Sequence, residues 1–390
     1  MSATEPTNAA YISHVHLKGY KSILNTEVEL HPGLNVIIGP NGSGKTNFLE
    51  FLWRMTTRQL PKNDFNSHIE IKHSNGKEYN WEVQTSGRTI IDTRLNEQKI
   101  EVYEWIYSRE VNRPKPKTKS YSRDRNDLYG DKQLAILLLE LSPITKFSFD
   151  LPKPISGLDD YLSLTVNKSN LKTNIKASGG TTFIRNFLNS SFYNKPFSNT
   201  NQLEKSNLLA TIKIDSELIE NLKKYSLIEN VRIEEGLSVK ENGVLYQINY
   251  LGFEFLVNGN WLNWNMLSDG TKRLFHLISE VTLNKGLCLV EEPEIGVHPN
   301  QYQRILTFLK EQSEEKQIIV TTHAPKTLDI FGDDELDRII LTSYDKNLGT
   351  KMRHLSKEEQ QHIVNIMQEE SFFLSDFWTL TSFFDEEEVA

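Results

Sequence analysis

Residues 34–49 read LNVIIGPNGSGKTNFL, and the reading of this stretch decides the fold. Leu34, Val36, Ile37 and Ile38 form a short apolar run, as expected of a buried strand. Phe48, Leu49, Leu52 and Met55 then recur at helical spacing, so a helix is expected from Thr46. Between strand and helix, Gly39–Thr46 matches G-x-x-x-x-G-K-[ST] in full. Glycines let the backbone curl so that successive N–H groups point at phosphate oxygens, and the following helix adds its N-terminal dipole. In this pattern Lys45 is the point charge for the β- and γ-phosphates, and the Thr46 hydroxyl is a ligand for Mg²⁺. Gly39, Asn41, Gly42, Ser43, Gly44, Lys45, Thr46 and Asn47 are the expected nucleotide-binding residues.

Three further stretches downstream end in polar residues. Residues 287–294 read LCLVEEPE, an apolar strand that delivers carboxylates to the carboxyl edge of a sheet, beside the phosphates. Glu291 is expected to hold Mg²⁺ through water, and Glu292 to act as general base on the attacking water. Leu267–Thr271 reads LSDGT and runs into a helical pattern. Ser268 there fits either an anion-facing hydroxyl over a Gly turn, with Gly270, or an ordinary helix N-cap. In Ile318–His323 a strand again ends in a polar residue. His323 fits a hydrogen bond to the γ-phosphate and the attacking water, or a structural role at the strand end.

The rest of the chain supports an α/β core. Residues 11–38 read as strands, and 69–85 as a hairpin turning at Asn75-Gly76. Residues 131–142 and 201–227 are helical in pattern, and 239–257 reads as strands. From 262 onward helix and apolar strand alternate: 271–285, 286–290, 299–312, 317–321. Residues 109–125 differ. Arg109, Arg113, Lys115, Lys117, Lys119, Arg123 and Arg125 face only Glu110 and Asp124, and Pro114 and Pro116 discourage regular structure.

Composition narrows the classes. The net charge of -8 disfavours nucleic-acid binding except through a local basic patch. Cys288 is the only cysteine, which excludes an intrachain disulfide and reads as a small core residue. The opening MSATEPTNAA does not read as a signal peptide, and the densest apolar run, 134–141, is too short for a membrane span. A cytoplasmic location without membrane contact is expected.

GPNGSGKTN, LSDGT, LVEEPE followed by His298-Pro299, and TTHAP, in this order, resemble the ATPase heads of the SMC, RecF and OLD proteins, which are ABC-type ATPases often placed in the AAA family. LKGYKS at residues 17–22 resembles that group's first strands. The likeness covers about residues 11–55 and 260–345 and is poor over 60–250. It implies an α/β P-loop NTPase: an ABC-type head with a β-rich lobe and a helical insertion. The core would be 1–60 and 250–350, the lobe and insertion 61–249, and the carboxy-terminal helix and aromatic, acidic tail 351–390. It further implies ATP and Mg²⁺ as cofactors, Glu292, His323 and Lys45 as catalytic residues, and Thr46 and Glu291 at the metal. Ser268 and Gly270 would contact the γ-phosphate held by a second copy, so that two chains build two composite sites in an ATP-dependent homodimer or higher even-numbered oligomer. Three features depart from the pattern: Glu291 where Asp is commoner, SDG rather than SGG, and no assignable Q-loop residue between Gln84 and Gln133.

The insert over 61–249 is too short and irregular for long coiled-coil arms, and the residues after His323 carry no TOPRIM-like nuclease pattern. A head with neither resembles, by architecture, the ATPase subunits of bacterial anti-phage systems such as Septu or PARIS, which implies a separate effector partner such as a nuclease or toxin. The alternative is a RecF/SMC-like DNA-repair ATPase that contacts DNA through the Arg109–Arg125 loop. The aromatic tail, with Phe372, Phe373, Phe377, Trp378, Phe383 and Phe384, fits either a segment packed on the core or a docking segment for a partner.

Overall fold

The computed structural model describes residues 10–56, 63–73, 76–86, 89–96, 98–99, 214–236, 238–284, 286–370 and 373–380, together with five short strands between 105 and 176. In chain order the amino-terminal half contains β1 (Ala10–Tyr20), β2 (Ile23–Glu29), β3 (Leu34–Ile38), α1 (Lys45–Thr56), β4 (Asn66–His73), β5 (Glu78–Ser86), β6 (Thr89–Leu95) and β7 (Gln98–Lys99). The short strands β8 (Trp105–Tyr107), β9 (Pro114–Pro116), β10 (Thr145–Ser148), β11 (Leu162–Asn167) and β12 (Thr173–Lys176) follow. Then come α2 (Ser216–Tyr225), β13 (Ile228–Ile233), β14 (Ser238–Asn242), β15 (Leu245–Leu251), β16 (Phe253–Val257), β17 (Asn260–Asn263) and α3 (Asp269–Leu283). The chain continues through β18 (Cys288–Glu291), α4 (Pro299–Gln312), β19 (Ile318–Thr322), β20 (Ile339–Asp345), β21 (Gly349–His354), α5 (Lys357–Glu370) and α6 (Leu374–Leu380).

The chain divides into two compact units: 1–147 with 285–292 and 309–390, and 148–284 with 293–308. These bounds cut across the expected domains, because backbone pairing joins β4–β6 to the same sheet as the P-loop strand β3.

The first unit is built on a twelve-stranded sheet in the order β10-β18-β19-β3-β20-β21-β2-β1-β4-β5-β6-β7. β18, β19, β3 and β20 pair in parallel. Every residue of β18, β19 and β3 is buried, which is why these strands read as mostly apolar runs without polar alternation. The other half is antiparallel and alternates: Trp81, Val83 and Thr85 of β5 are buried between more exposed neighbours. Phe48, Leu49, Phe51, Leu52 and Met55 form the buried stripe of α1. Tyr20, Phe51 and Phe65 meet with ring centroids 5.5–6.2 Å apart. Burial of each such side chain contributes about 1.5–3 kcal/mol. Cys288 is buried, as its apolar surroundings imply.

Two local devices set β3. Asn35 accepts from His31 N at 2.8 Å and donates to His31 O at 2.8 Å, stapling the turn in which Gly33 has φ +84°. Gln317, directly before β19, accepts from Ile12 N at 3.0 Å and donates to the carbonyls of Ile12 (2.8 Å) and His31 (3.1 Å).

In the second unit Asp215 caps α2, accepting from Leu218 N at 3.1 Å, and Leu218, Leu222 and Tyr225 face inward. Asn221 ties α2 to α3 through Thr282 at 3.0 Å. Phe255, Trp264 and Phe275 pack together with centroids 5.1–5.6 Å apart. β13-β16-β17 and β12-β11-β15-β14 form two further sheets.

Within 201–227, residues Ser216–Tyr225 form α2, begun by the Asp215 cap, and 201–213 lie outside the described residues. One sequence expectation is corrected. Pro114–Pro116 forms a strand, with Ile106 opposite Lys115. Proline φ suits extended backbone, and Lys115 retains its N–H for pairing. The remainder of the 109–125 loop, the 131–142 segment and Phe372, Phe383 and Phe384 of the tail lie outside the described residues. Among the described residues no helix is long and apolar enough to cross a membrane.

Candidate functional site

The P-loop bridges β3 and α1, and the fold around it explains its glycines. A Cβ on Gly39 would stand 2.1 Å from the Thr342 carbonyl oxygen of β20. At Gly44, φ is +100° and a Cβ would meet Thr350 Oγ1 at 2.0 Å. Gly42 also needs a positive φ, +83°, but has open space beside it. Lys45 opens α1, is buried, and folds its Nζ back onto the carbonyls of Gly39 (2.7 Å) and Pro40 (2.9 Å). The Ser43 hydroxyl is buried with no hydrogen-bond partner in the protein. Thr46 is exposed at the mouth. Asn47 points elsewhere: its Nδ2 donates to Ser22 Oγ at 2.7 Å, and Ser22 Oγ pairs with Thr350 Oγ1 at 2.8 Å.

The acidic stretch ends at the same sheet edge. Glu291 is the buried last residue of β18 and pairs with Thr321 of β19, which pairs in turn with Ile37 of β3. Glu292 is left-handed, with φ +45°, and its N–H donates to Thr321 O at 2.8 Å. A non-glycine residue in this region costs about 1 kcal/mol and is held there by its surroundings. The turn brings Glu292 Oε1 to 3.7 Å from His323 Nδ1, just beyond the end of β19. Thr321 Oγ1 is buried without a partner.

These residues fit a nucleotide and a hard cation. The loop presents backbone unobstructed by side chains at Gly42, one ammonium, and a buried hydroxyl awaiting an acceptor or donor. Thr46 and Glu291 offer oxygen ligands, the type Mg²⁺ takes. No group of three or more His, Cys, Asp or Glu side chains suited to a metal exists among the described residues.

Ser268 and Gly270 lie in the second unit. Ser268 is the N-cap of α3, with its Oγ 3.2 Å from Thr271 N and 2.8 Å from Thr271 Oγ1. Arg273, one turn on, donates to Ile295 O at 2.9 Å, and a Cβ on Gly296 would stand 2.2 Å from its Nη1. His298 caps α4 through Nδ1, which accepts from Asn300 N at 3.3 Å, while Pro299 takes the first helical position. The His-Pro pair is thus a helix start. Gln84 is exposed on β5, in register with Asn66 and Asp92, and Gln133 lies outside the described residues.

Ser22, Thr321 and Thr350 escaped the sequence reading as parts of this region. Ser22 sits in the LKGYKS stretch and had a signal, whereas Thr350 had none, because its contact with Gly44 joins distant parts of the chain.

Residues 34–329 match the family described as "AAA domain, putative AbiEii toxin, Type IV TA system". The chain is 35% identical over 81 residues to an uncharacterized protein of Methanocaldococcus jannaschii, covering 21% of this chain and 20% of that protein. It is 30% identical over 89 residues to the DNA replication and repair protein RecF of Streptococcus agalactiae, covering 23% of this chain and 24% of RecF. These matches therefore span a quarter or less of either relative's length. An SMC head bound to the C-winged helix domain of ScpA superposes with TM-score 0.54 at 16% identity, over 90% of this chain and 99% of that one. An SMC head with an extended coiled coil, bound to the C-terminal domain of ScpA and derived from Pyrococcus furiosus, gives 0.52 at 15% identity, over 92% and 100%. At these identities the likeness is one of fold, and that fold is the expected α/β head.

Proposed function

The chain belongs to the family described as "AAA domain, putative AbiEii toxin, Type IV TA system", and from that premise we propose that it hydrolyses ATP, closes as a dimer around two nucleotides, and thereby gates a separate nuclease or toxin in anti-phage defence. The observation that carries the hydrolytic reading is Glu292 facing His323 at 3.7 Å, on the strand ends next to the P-loop strand.

In this reading Lys45 exchanges the carbonyls of Gly39 and Pro40 for β- and γ-phosphate oxygens. Thr46 and Glu291 hold Mg²⁺, which supplies charge neutralisation on the phosphates when bound. Glu292 takes a proton from water, whose oxygen bonds to the γ-phosphorus as the bond to the β-phosphate oxygen breaks, giving ADP and phosphate. His323 orients the γ-phosphate and that water. Ser268 and Gly270 of one copy meet the γ-phosphate held by the other, so losing that phosphate removes a bridging ligand and the dimer opens.

Gating of an effector rests on architecture. The longest helix among the described residues is the 15-residue α3, which fits a head without long arms. The second reading, a DNA-binding ATPase of the RecF kind, is favoured by the 30% identity to RecF over 89 residues. It predicts salt-dependent DNA binding that weakens when Lys115, Lys117 and Lys119 are neutralised.

The test is the mass in solution, by light scattering, of wild type and Glu292→Gln with and without ATP and Mg²⁺. An ATP-dependent dimer or larger even assembly, locked in the variant, supports the composite site. One unchanging mass, with normal hydrolysis by the variant, sinks it.

A further inference from the structure

We propose that the carboxy-terminal helix α6 positions His323, acting through a clamp between Asp329 and Ser375. The inference deepens the ATPase reading and rests on it.

The chain leaves β19 at His323 and enters a six-residue 3-10 helix, Pro325–Ile330. A helix this short has poor internal hydrogen bonding, so its position depends on its anchors. The inner anchor is a pair of fully buried threonines. Thr322 Oγ1 lies 3.2 Å from Thr327 Oγ1 and accepts from Ala324 N at 2.9 Å, which fixes the two residues either side of His323.

The outer anchor is Asp329, whose side chain is only 5% exposed. Its Oδ1 accepts from Ser375 N at 2.8 Å, and its Oδ2 from Ser375 Oγ at 3.0 Å. Lys326 Nζ adds an ion pair at 2.6 Å and stands 4.7 Å from the Phe373 ring centroid. Leu374 and Phe377 of α6 are buried beside it. Hydrogen bonds to a desolvated carboxylate are among the strong ones, and losing a partner leaves a charge poorly solvated. Of the two sequence readings for the aromatic tail, packing on the core therefore holds for Phe377.

The connection from α6 to His323 runs through Ser375, Asp329, the short helix and the threonine pair. Displacing α6, whether by truncation or by a partner, would loosen the imidazole while leaving the P-loop intact.

The experiment uses the full chain with Ser375→Ala, Asp329→Asn and the conservative Ser375→Thr, each alone and with His323→Ala. Expected for Ser375→Ala is a kcat lower by roughly tenfold or more, as a small misplacement of a reacting group can cause, with ATP affinity unchanged. Ser375→Thr restores most of the rate, and Ser375→Ala adds no loss in the His323→Ala background. A second readout needs no turnover. In nucleotide-free protein the His323 imidazole resonance, identified by its disappearance in His323→Ala, moves on Ser375→Ala while the resonances of His14 and His68 stay. Wild-type kcat in Ser375→Ala, additive losses in the double variant, or an unmoved His323 resonance would overturn the inference. A wild type that binds but never hydrolyses ATP takes down the ATPase reading and this inference together, whereas normal wild-type turnover with an indifferent clamp takes down the inference alone.

Discussion

Glu292 and His323 face each other across the ends of two adjacent parallel strands, Oε1 to Nδ1 3.7 Å, with the Glu292 N–H bonded to the carbonyl of Thr321, two residues before that histidine. The backbone bond and the left-handed φ of +45° together aim the carboxylate toward the imidazole. If the pair acts on one water, its members are coupled.

Glu292→Gln keeps the shape and removes the proton acceptor. Single-turnover hydrolysis should fall by about 10²–10⁴-fold, with ATP still bound. His323→Ala in that background should cost much less than it does alone. Full additivity of the two losses would separate their roles.

The same glutamate carries a strain prediction. Glu292→Gly should raise stability by about 1 kcal/mol, since glycine adopts positive φ without penalty, while hydrolysis is lost. Urea denaturation measures it, and a lower midpoint for the variant would show that the side chain contributes more than its backbone costs.

Gly44→Ala introduces a methyl 2.0 Å from Thr350 Oγ1, at a φ of +100°. We expect destabilisation of about 1–3 kcal/mol and loss of ATP binding by calorimetry. Adding Thr350→Ala should recover part of the stability but not binding, because the strain at a φ of +100° remains. Recovery of both would reduce the role of Gly44 to packing alone.

Gln317→Leu leaves the Ile12 amide and carbonyl without their buried partner. Its cost should be about 2–4 kcal/mol by denaturant titration, with nucleotide affinity of the folded fraction unchanged. A cost below about 0.5 kcal/mol would mean that neighbouring groups satisfy Ile12.

His276 gives a pH dependence. It meets Trp264 and Phe275 edge to ring, and its Nε2 is enclosed without a partner, although other parts of the residue reach the surface. Burial pushes its pKa down from 6.5 to about 4. The unfolded chain therefore binds the proton first as pH falls. The stabilisation is whole above pH 6.5 and is lost progressively toward pH 4, by an amount on the order of 3 kcal/mol. His276→Phe should flatten the thermal midpoint over that window. An unchanged slope would place the acid sensitivity elsewhere.

By itself the sequence determined what depends on neighbours along the chain. The eight residues of Gly39–Thr46 carry their own loop geometry, and Ser268 caps the helix that follows it. The apolar runs at 34–38, 288–291 and 318–322 announced buried strands because strands buried on both faces have no polar alternation. Pro114–Pro116 misled because proline's cost to a sheet depends on which edge it occupies, a fact of pairing rather than of composition. Only the tertiary structure decided which distant groups meet: Thr350 against Gly44, Ser22 under Asn47, Gln317 on Ile12, Ser375 on Asp329. The physical reason is that a hydrogen bond or a close approach between remote residues leaves no period in either local sequence, and arises when the sheet brings their backbones together.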